Sequence, residues 1–119
     1  MKDLRTLKLW PKAHSLVLDV YRGSEGFPSE ERFGLTSQLR LTSVSIPVNI
    51  TEGCGRRTDD DFARFLDYAM GSASEVEHHL LLARDLGFLG MDAHDYLHAL
   101  TTEVKRMLAS LLGRLRANG

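Results

Sequence analysis

The sequence predicts an all-α protein folded as an antiparallel, up-down-up-down four-helix bundle. Three observations predict it. Apolar residues recur at three- and four-residue spacing in four separate stretches, glycine, proline and capping residues divide those stretches, and none of them alternates apolar with polar as a half-buried strand does. With 119 residues the chain is long enough for one core and too short for two, so a single domain covering residues 1–119 is expected.

The first helix is expected over roughly residues 8–22. Trp10, Ala13, Leu16, Val17, Val20 and Tyr21 share one face there, Pro11 suits a first turn that needs no N–H, and Gly23 ends the element. The clustered glycines and proline of Gly23–Ser29 then read as a loop.

A second helix is expected over 30–53, with Ser29 as N-cap and Glu30 and Glu31 meeting the positive end of the dipole. Its stripe of Leu35, Leu39, Thr42, Ile46, Asn49 and Gly53 keeps its phase across Pro47. Pro47 is therefore read as a kink; the alternative is a break there followed by a short helix, because proline costs about 3 kcal/mol in a helix interior. Gly53 and Gly55 end the element in either case.

Thr58 followed by Asp59, Asp60 and Asp61 predicts the start of a third helix over 58–86, whose apolar face runs from Phe62, Phe65 and Leu66 through Ala69, Ala73 and Val76 to Leu80 and Ala83. Asp92 is expected to cap a fourth helix over 92–116, patterned by Leu97, Leu100, Val104, Met107, Leu111 and Leu115. The short Gly87–Gly90 connection makes these last two helices antiparallel neighbours.

Composition narrows the function classes. An apolar share of 43% with 26% charged residues is that of a globular protein and excludes a disordered chain. Fifteen basic against sixteen acidic residues leave a net charge of −1, so any attraction to nucleic acid or an anionic membrane has to come from a local patch. The lone Cys54 cannot form an intrachain disulfide, and a cytoplasmic location is expected. Asp3, Arg5, Lys8 and Lys12 interrupt the apolar runs that a signal peptide or membrane span would need, so the mature chain is expected to begin at or near Met1.

Several features coincide: Leu9-Trp10 and Lys12-Ala13; Phe27-Pro28, Glu31, Leu35 and Gln38-Leu39-Arg40; Ser45-Ile46-Pro47-Val48-Asn49-Ile50-Thr51-Glu52-Gly53 with Arg56 or Arg57 beyond; Phe62 and Phe65; and Gly71-Ser72-Ala73-Ser74-Glu75-Val76-Glu77. Together they resemble the bacterial four-helix-bundle proteins encoded in intervening sequences of 23S ribosomal RNA genes and in many stand-alone genes. The resemblance spans nearly the whole chain. It implies a ring-like homopentamer with no established enzymatic activity, no catalytic residue and no cofactor. It also suggests a relationship to the accessory variability proteins of diversity-generating retroelements, pentamers that bind a reverse transcriptase and nucleic acid through strongly basic surfaces. This chain departs from those patterns in its near-neutral charge, in Leu41-Thr42 where the family favours arginine and alanine, and in Thr51 where alanine is usual.

Four groups of residues are candidates for a site. Asn49, Glu52 and Arg56 lie at successive helical turns, where a buried or interfacial network would set the register of helices or subunits. Gly71 and Ser72 place small side chains in mid-helix, which predicts a close approach by a neighbouring backbone or a partner subunit. His94 and His98 share one face, as do Glu75 and His79, and the hairpin would carry His79 towards His98; with neither a zincin glutamate nor a cysteine partner, no metal site is assigned, and His79 and His98 are the nearest candidates. Arg56, Arg57, Lys105 and Arg106 are the candidate nucleic-acid contacts, alongside Lys2, Arg5, Lys8, Lys12, Arg114 and Arg116.

The reading that follows is a non-enzymatic cytoplasmic oligomer, a homopentamer of bundles acting as a scaffold or interaction protein, with Leu81, Leu82 and Leu89 adding apolar surface. Its own copies and a protein partner are the expected ligands. No membrane is expected. The alternative is an accessory protein that binds RNA or DNA through basic patches repeated around the ring.

Overall fold

The computed structural model describes residues 6–118, and within it four α-helices follow one another: α1 (Thr6–Gly23), α2 (Leu35–Cys54), α3 (Asp59–Asp85) and α4 (Met91–Asn118). Each packs on its neighbours in the chain and α4 closes back onto α1, giving an up-down-up-down bundle. No strand occurs among the described residues. The molecule extends 46 × 24 × 18 Å, and the 28 residues of α4 span nearly all of the long axis at about 1.5 Å per residue. Lys2 and Arg5 lie outside the described residues.

One apolar core runs the length of the bundle. Leu16, Val20, Leu39, Ile46, Ile50, Phe62, Leu66, Leu80, Leu108 and Leu111 are fully enclosed within it. Its stripe on α1 differs in detail from the expected one: Leu9 is buried, whereas Trp10 and Tyr21 stand at the edge, 37% and 41% exposed. Leu89 is a core residue and leaves only Leu81 and Leu82 on the surface.

The second helix begins later than its sequence signals. Ser29–Glu31 forms a single 3-10 turn, and α2 starts at Leu35 after Gly34. Glu31 supplies the cap that Ser29 was expected to give, its Oε1 accepting the Leu35 N–H at 3.1 Å. A Cβ at Gly34 would lie 2.9 Å from that oxygen, so glycine keeps the space open for this bond. From there α2 runs without interruption through Pro47 to Cys54, excluding the break-and-restart alternative. Hydroxyl and amide side chains surround the proline: Ser43 Oγ donates to the Arg40 carbonyl at 2.8 Å, Ser45 Oγ to Thr42 at 2.7 Å and Asn49 Nδ2 to Ser45 at 2.8 Å.

Helix termini are secured individually. Arg40 reaches from α2 to the end of α1, donating from Nε to Ser24 Oγ at 2.8 Å and from Nη2 to the Tyr21 carbonyl at 3.3 Å. Its guanidinium lies 4.7 Å from the Tyr21 ring centroid. Thr58 caps α3 as expected, accepting the Asp61 N–H at 3.1 Å. At the other end Gly87, at φ +79°, closes α3 with Gly87 N–H to Arg84 at 3.0 Å and Phe88 N–H to Ala83 at 2.9 Å, the paired bonds of a Schellman turn. Because α4 already begins at Met91, Asp92 lies in its first turn and complements the dipole there without being the cap residue.

A tight contact between α2 and α3 is made at Gly53, which the sequence places both on the buried stripe and at the end of the helix. Gly53 is buried inside α2, and a Cβ there would come within 2.9 Å of Phe62 Cδ1 and 3.1 Å of Phe65 Cβ. Gly71, by contrast, is exposed and an added Cβ meets nothing within 4 Å, so no neighbouring backbone of the same chain approaches it there. Gly53→Ala is therefore expected to destabilise the bundle by about 1–3 kcal/mol through overpacking against immobile Phe62. Gly71→Ala is expected to stabilise it by up to about 1 kcal/mol. Urea denaturation of the two variants checks the opposite signs.

Candidate interaction groove

Between α1 and α2 the surface is open and apolar. Steps of four and three place Trp10, His14 and Val17 on one side of α1, and Val44, Pro47, Val48 and Thr51 on the facing side of α2. These residues and Glu52 line a groove of about 400 Å³. Trp10 and His14 stack with ring centroids 4.9 Å apart and planes within 10°, which holds the indole along the groove wall. Leu41 and Val48 extend α2's outward stripe and are 66% and 52% exposed. The far side of α1 carries a second groove against α4, about 710 Å³ in volume, whose apolar lining includes Leu7, Pro11, Tyr96, Leu100 and Met107. Thus α1, the shortest of the four α-helices at 18 residues, is flanked by exposed apolar surface on both sides.

The polar candidates do not assemble as one network within the chain. Asn49 is half-buried and its amide is committed to the Ser45 carbonyl of its own helix. Glu52 and Arg56 form a surface pair at 3.6 Å, worth little to stability by itself. Arg56 also lies over the Phe65 ring at 4.5 Å. Ser72 does join two elements: its Oγ lies 2.6 Å from Ser45 Oγ across the α2–α3 contact and donates to it, the Ser45 proton being given to the Thr42 carbonyl.

Half of the basic candidates among the described residues are neutralised locally, Arg56 among them. Lys105 reaches Glu77 at 2.5 Å, Lys12 pairs with Glu103 at 3.1 Å, and Arg116 pairs with Asp67. Arg57 and Arg106 are exposed and have no ion-pair partner among the described residues.

Four of the five histidines form two pairs. His98 faces Glu77 at 3.8 Å and stacks with His94, whereas His79 adjoins His78. The expected meeting of His79 with His98 does not occur, because α3 turns Glu77, His78 and Leu81 towards His98 and leaves His79 on another face. Among the described residues no three histidine, cysteine or acidic side chains converge on a point where they could hold a metal ion. Both ring nitrogens of His79 are enclosed without a hydrogen-bond partner among the described residues. Burial lowers its pKa from the ordinary 6.5, opposed by the carboxylate of Glu75 and reinforced by neighbouring His78. No described helix is long and apolar enough to cross a membrane.

The 23S rRNA-intervening sequence protein model matches residues 5–110. Among solved structures, a protein of unknown function from the S23 ribosomal protein family of Bacteroides thetaiotaomicron VPI-5482 superposes with a TM-score of 0.85. It is 20% identical, and the match covers 92% of this chain and 99% of that one, so the likeness is one of fold. No curated protein matches the chain.

His79 generates a pH prediction. Its depressed native pKa means that the unfolded state takes up the proton more readily, so its contribution to stability is present above the unfolded value and lost as pH falls. Chemical denaturation between about pH 7.5 and pH 5 is expected to show wild type losing more stability on acidification than His79→Gln.

Proposed function

The chain belongs to the 23S rRNA-intervening sequence protein family, and from that premise we propose that it is a non-enzymatic scaffold that assembles with copies of itself. The observation that carries this reading is the open apolar groove formed by Trp10, Val17, Val44, Pro47 and Val48, continued by exposed Leu41. Contiguous apolar surface of this kind is stabilised by exclusion from water. The occupant proposed is a second copy of the chain. A ring requires two different faces on each protomer, so that contacts run head to tail until they close. The two grooves flanking α1 supply such a pair of faces. Five copies are the number that the family resemblance implies, and the assembled ring would present the remaining surface to a protein partner in the cytoplasm.

A second reading is nucleic-acid binding, favoured by exposed, unpaired Arg57 and Arg106. Repetition around a ring would add their weak phosphate contacts. The pairing of Arg56 with Glu52 and of Lys105 with Glu77 places this reading second.

Light scattering on size-separated protein at micromolar concentration is expected to give about five times the chain mass of 13.3 kDa. Val48→Arg is expected to yield monomer with unchanged helicity, since position 48 is exposed within the protomer and only the assembly would bury the new charge. Monomeric wild type would overturn the proposal. In a low-salt gel assay, RNA binding abolished by joint Arg57→Ala and Arg106→Ala substitution would favour the second reading instead.

A further inference from the structure

A separate cleft lies between α3 and α4, away from the α1–α2 groove. It has a volume of about 410 Å³ and is lined by Glu77, His78, Leu81, Arg84, His94 and His98. Two of its side chains are arranged as ligands. His94 and His98 are four residues apart on α4, and their rings lie with centroids 5.7 Å apart and planes within 12° of parallel. Each ring also has a carboxylate beside the same nitrogen. His94 Nδ1 is 3.0 Å from Asp95 Oδ1, and His98 Nδ1 is 3.8 Å from Glu77 Oε2.

At 3.0 Å the Asp95 carboxylate favours the proton on His94 Nδ1 and leaves the lone pair on Nε2, as in the carboxylate-histidine pairs that orient metal ligands. Glu77, at 3.8 Å, faces His98 Nδ1 from beyond hydrogen-bond distance and acts on it electrostatically. Glu77 is itself held by Lys105 Nζ at 2.5 Å, which fixes the carboxylate against His98. His94 is enclosed and oriented, with its side chain 8% exposed, whereas that of His98 is 47% exposed and free to swing. For both Nε2 atoms to reach one ion at ordinary metal-nitrogen distances of about 2.0–2.1 Å, the exposed ring of His98 has to turn out of its stack on His94.

We propose that His94 and His98 bind one divalent transition-metal ion through their Nε2 atoms, with Asp95 and Glu77 as outer-sphere acceptors. Since no third histidine, cysteine or acidic side chain among the described residues converges on the same point, water completes the coordination. Imidazole ligands of this kind favour Cu²⁺ over Ni²⁺ and Zn²⁺. This site is independent of self-association, because neither histidine lines the grooves beside α1.

The test is calorimetric titration of tag-free protein with Cu²⁺ and with Ni²⁺ near neutral pH, paired with thermal melts. Wild type is expected to bind one equivalent of Cu²⁺ per chain, more tightly than Ni²⁺, and to melt at a higher temperature with metal present. His98→Ala is expected to weaken binding at least about ten-fold and to abolish the melting shift, while Glu77→Gln weakens binding by about ten-fold or more with the ligands intact. Circular dichroism verifies that both variants fold, as the exposure of His98 leads one to expect. Absence of binding in wild type, undiminished binding in His98→Ala, or loss of binding in His78→Ala alone would each overturn the assignment.

Discussion

The close approach of α2 to α3 at Gly53 is the constraint on which the remaining architecture rests. Phe62 and Phe65 occupy the space where any larger residue would project, and Ser45 reaches Ser72 farther along the same contact. Buried alanines at 63, 69 and 73 keep the α3 side shallow, so packing can be dense without long side chains. For α2 to make both contacts it has to remain one helix across Pro47, and it does. That continuity places Leu41, Val44, Val48 and Thr51 in a single row on α2's opposite side, facing out beside α1. The outward groove is thus a consequence of how firmly α2 is committed inward.

The bundle was legible because its signals are local. Three- and four-residue periodicity defines the buried faces, Thr58 with three aspartates announces α3, and Gly87 ends it. The start of α2 was misread because Ser29-Glu30-Glu31 resembles a cap and an acidic first turn, while Glu31 actually serves the amide of Leu35 across an intervening glycine. Gly53 and Gly71 show the limit most clearly. Both are glycines on a helix, and only the position of α3 distinguishes one that must lack a side chain from one that need not.

Site residues were less legible, since polar partners across helices depend on rotation and register that periodicity specifies only coarsely. The steps of three and four residues from Asn49 to Glu52 to Arg56 suggest one network, but it divides into an amide bonded to its own helix and a surface ion pair. The histidines suggested a pairing across the hairpin, whereas the actual neighbours lie along each helix. The role of Arg40, joining the end of α1 to α2, carried no local signal beyond its place in a familiar motif. The apolar groove was equally hidden, because Val44 and Val48 belong to the same hydrophobic sequence as the core residues between them. Which of these residues face inward is decided by the α2–α3 contact.

The proposal that this groove is covered by another copy of the chain has a built-in reporter, since Trp10 is the single tryptophan and lies on the groove wall. Iodide quenching of its fluorescence, measured across a dilution series alongside mass, tests the claim most directly. The indole is expected to be shielded from iodide while the protein is assembled and to become accessible as the mass falls to that of one chain. Equal quenching at every concentration, with Trp10 open to solvent even in an oligomer, would contradict it.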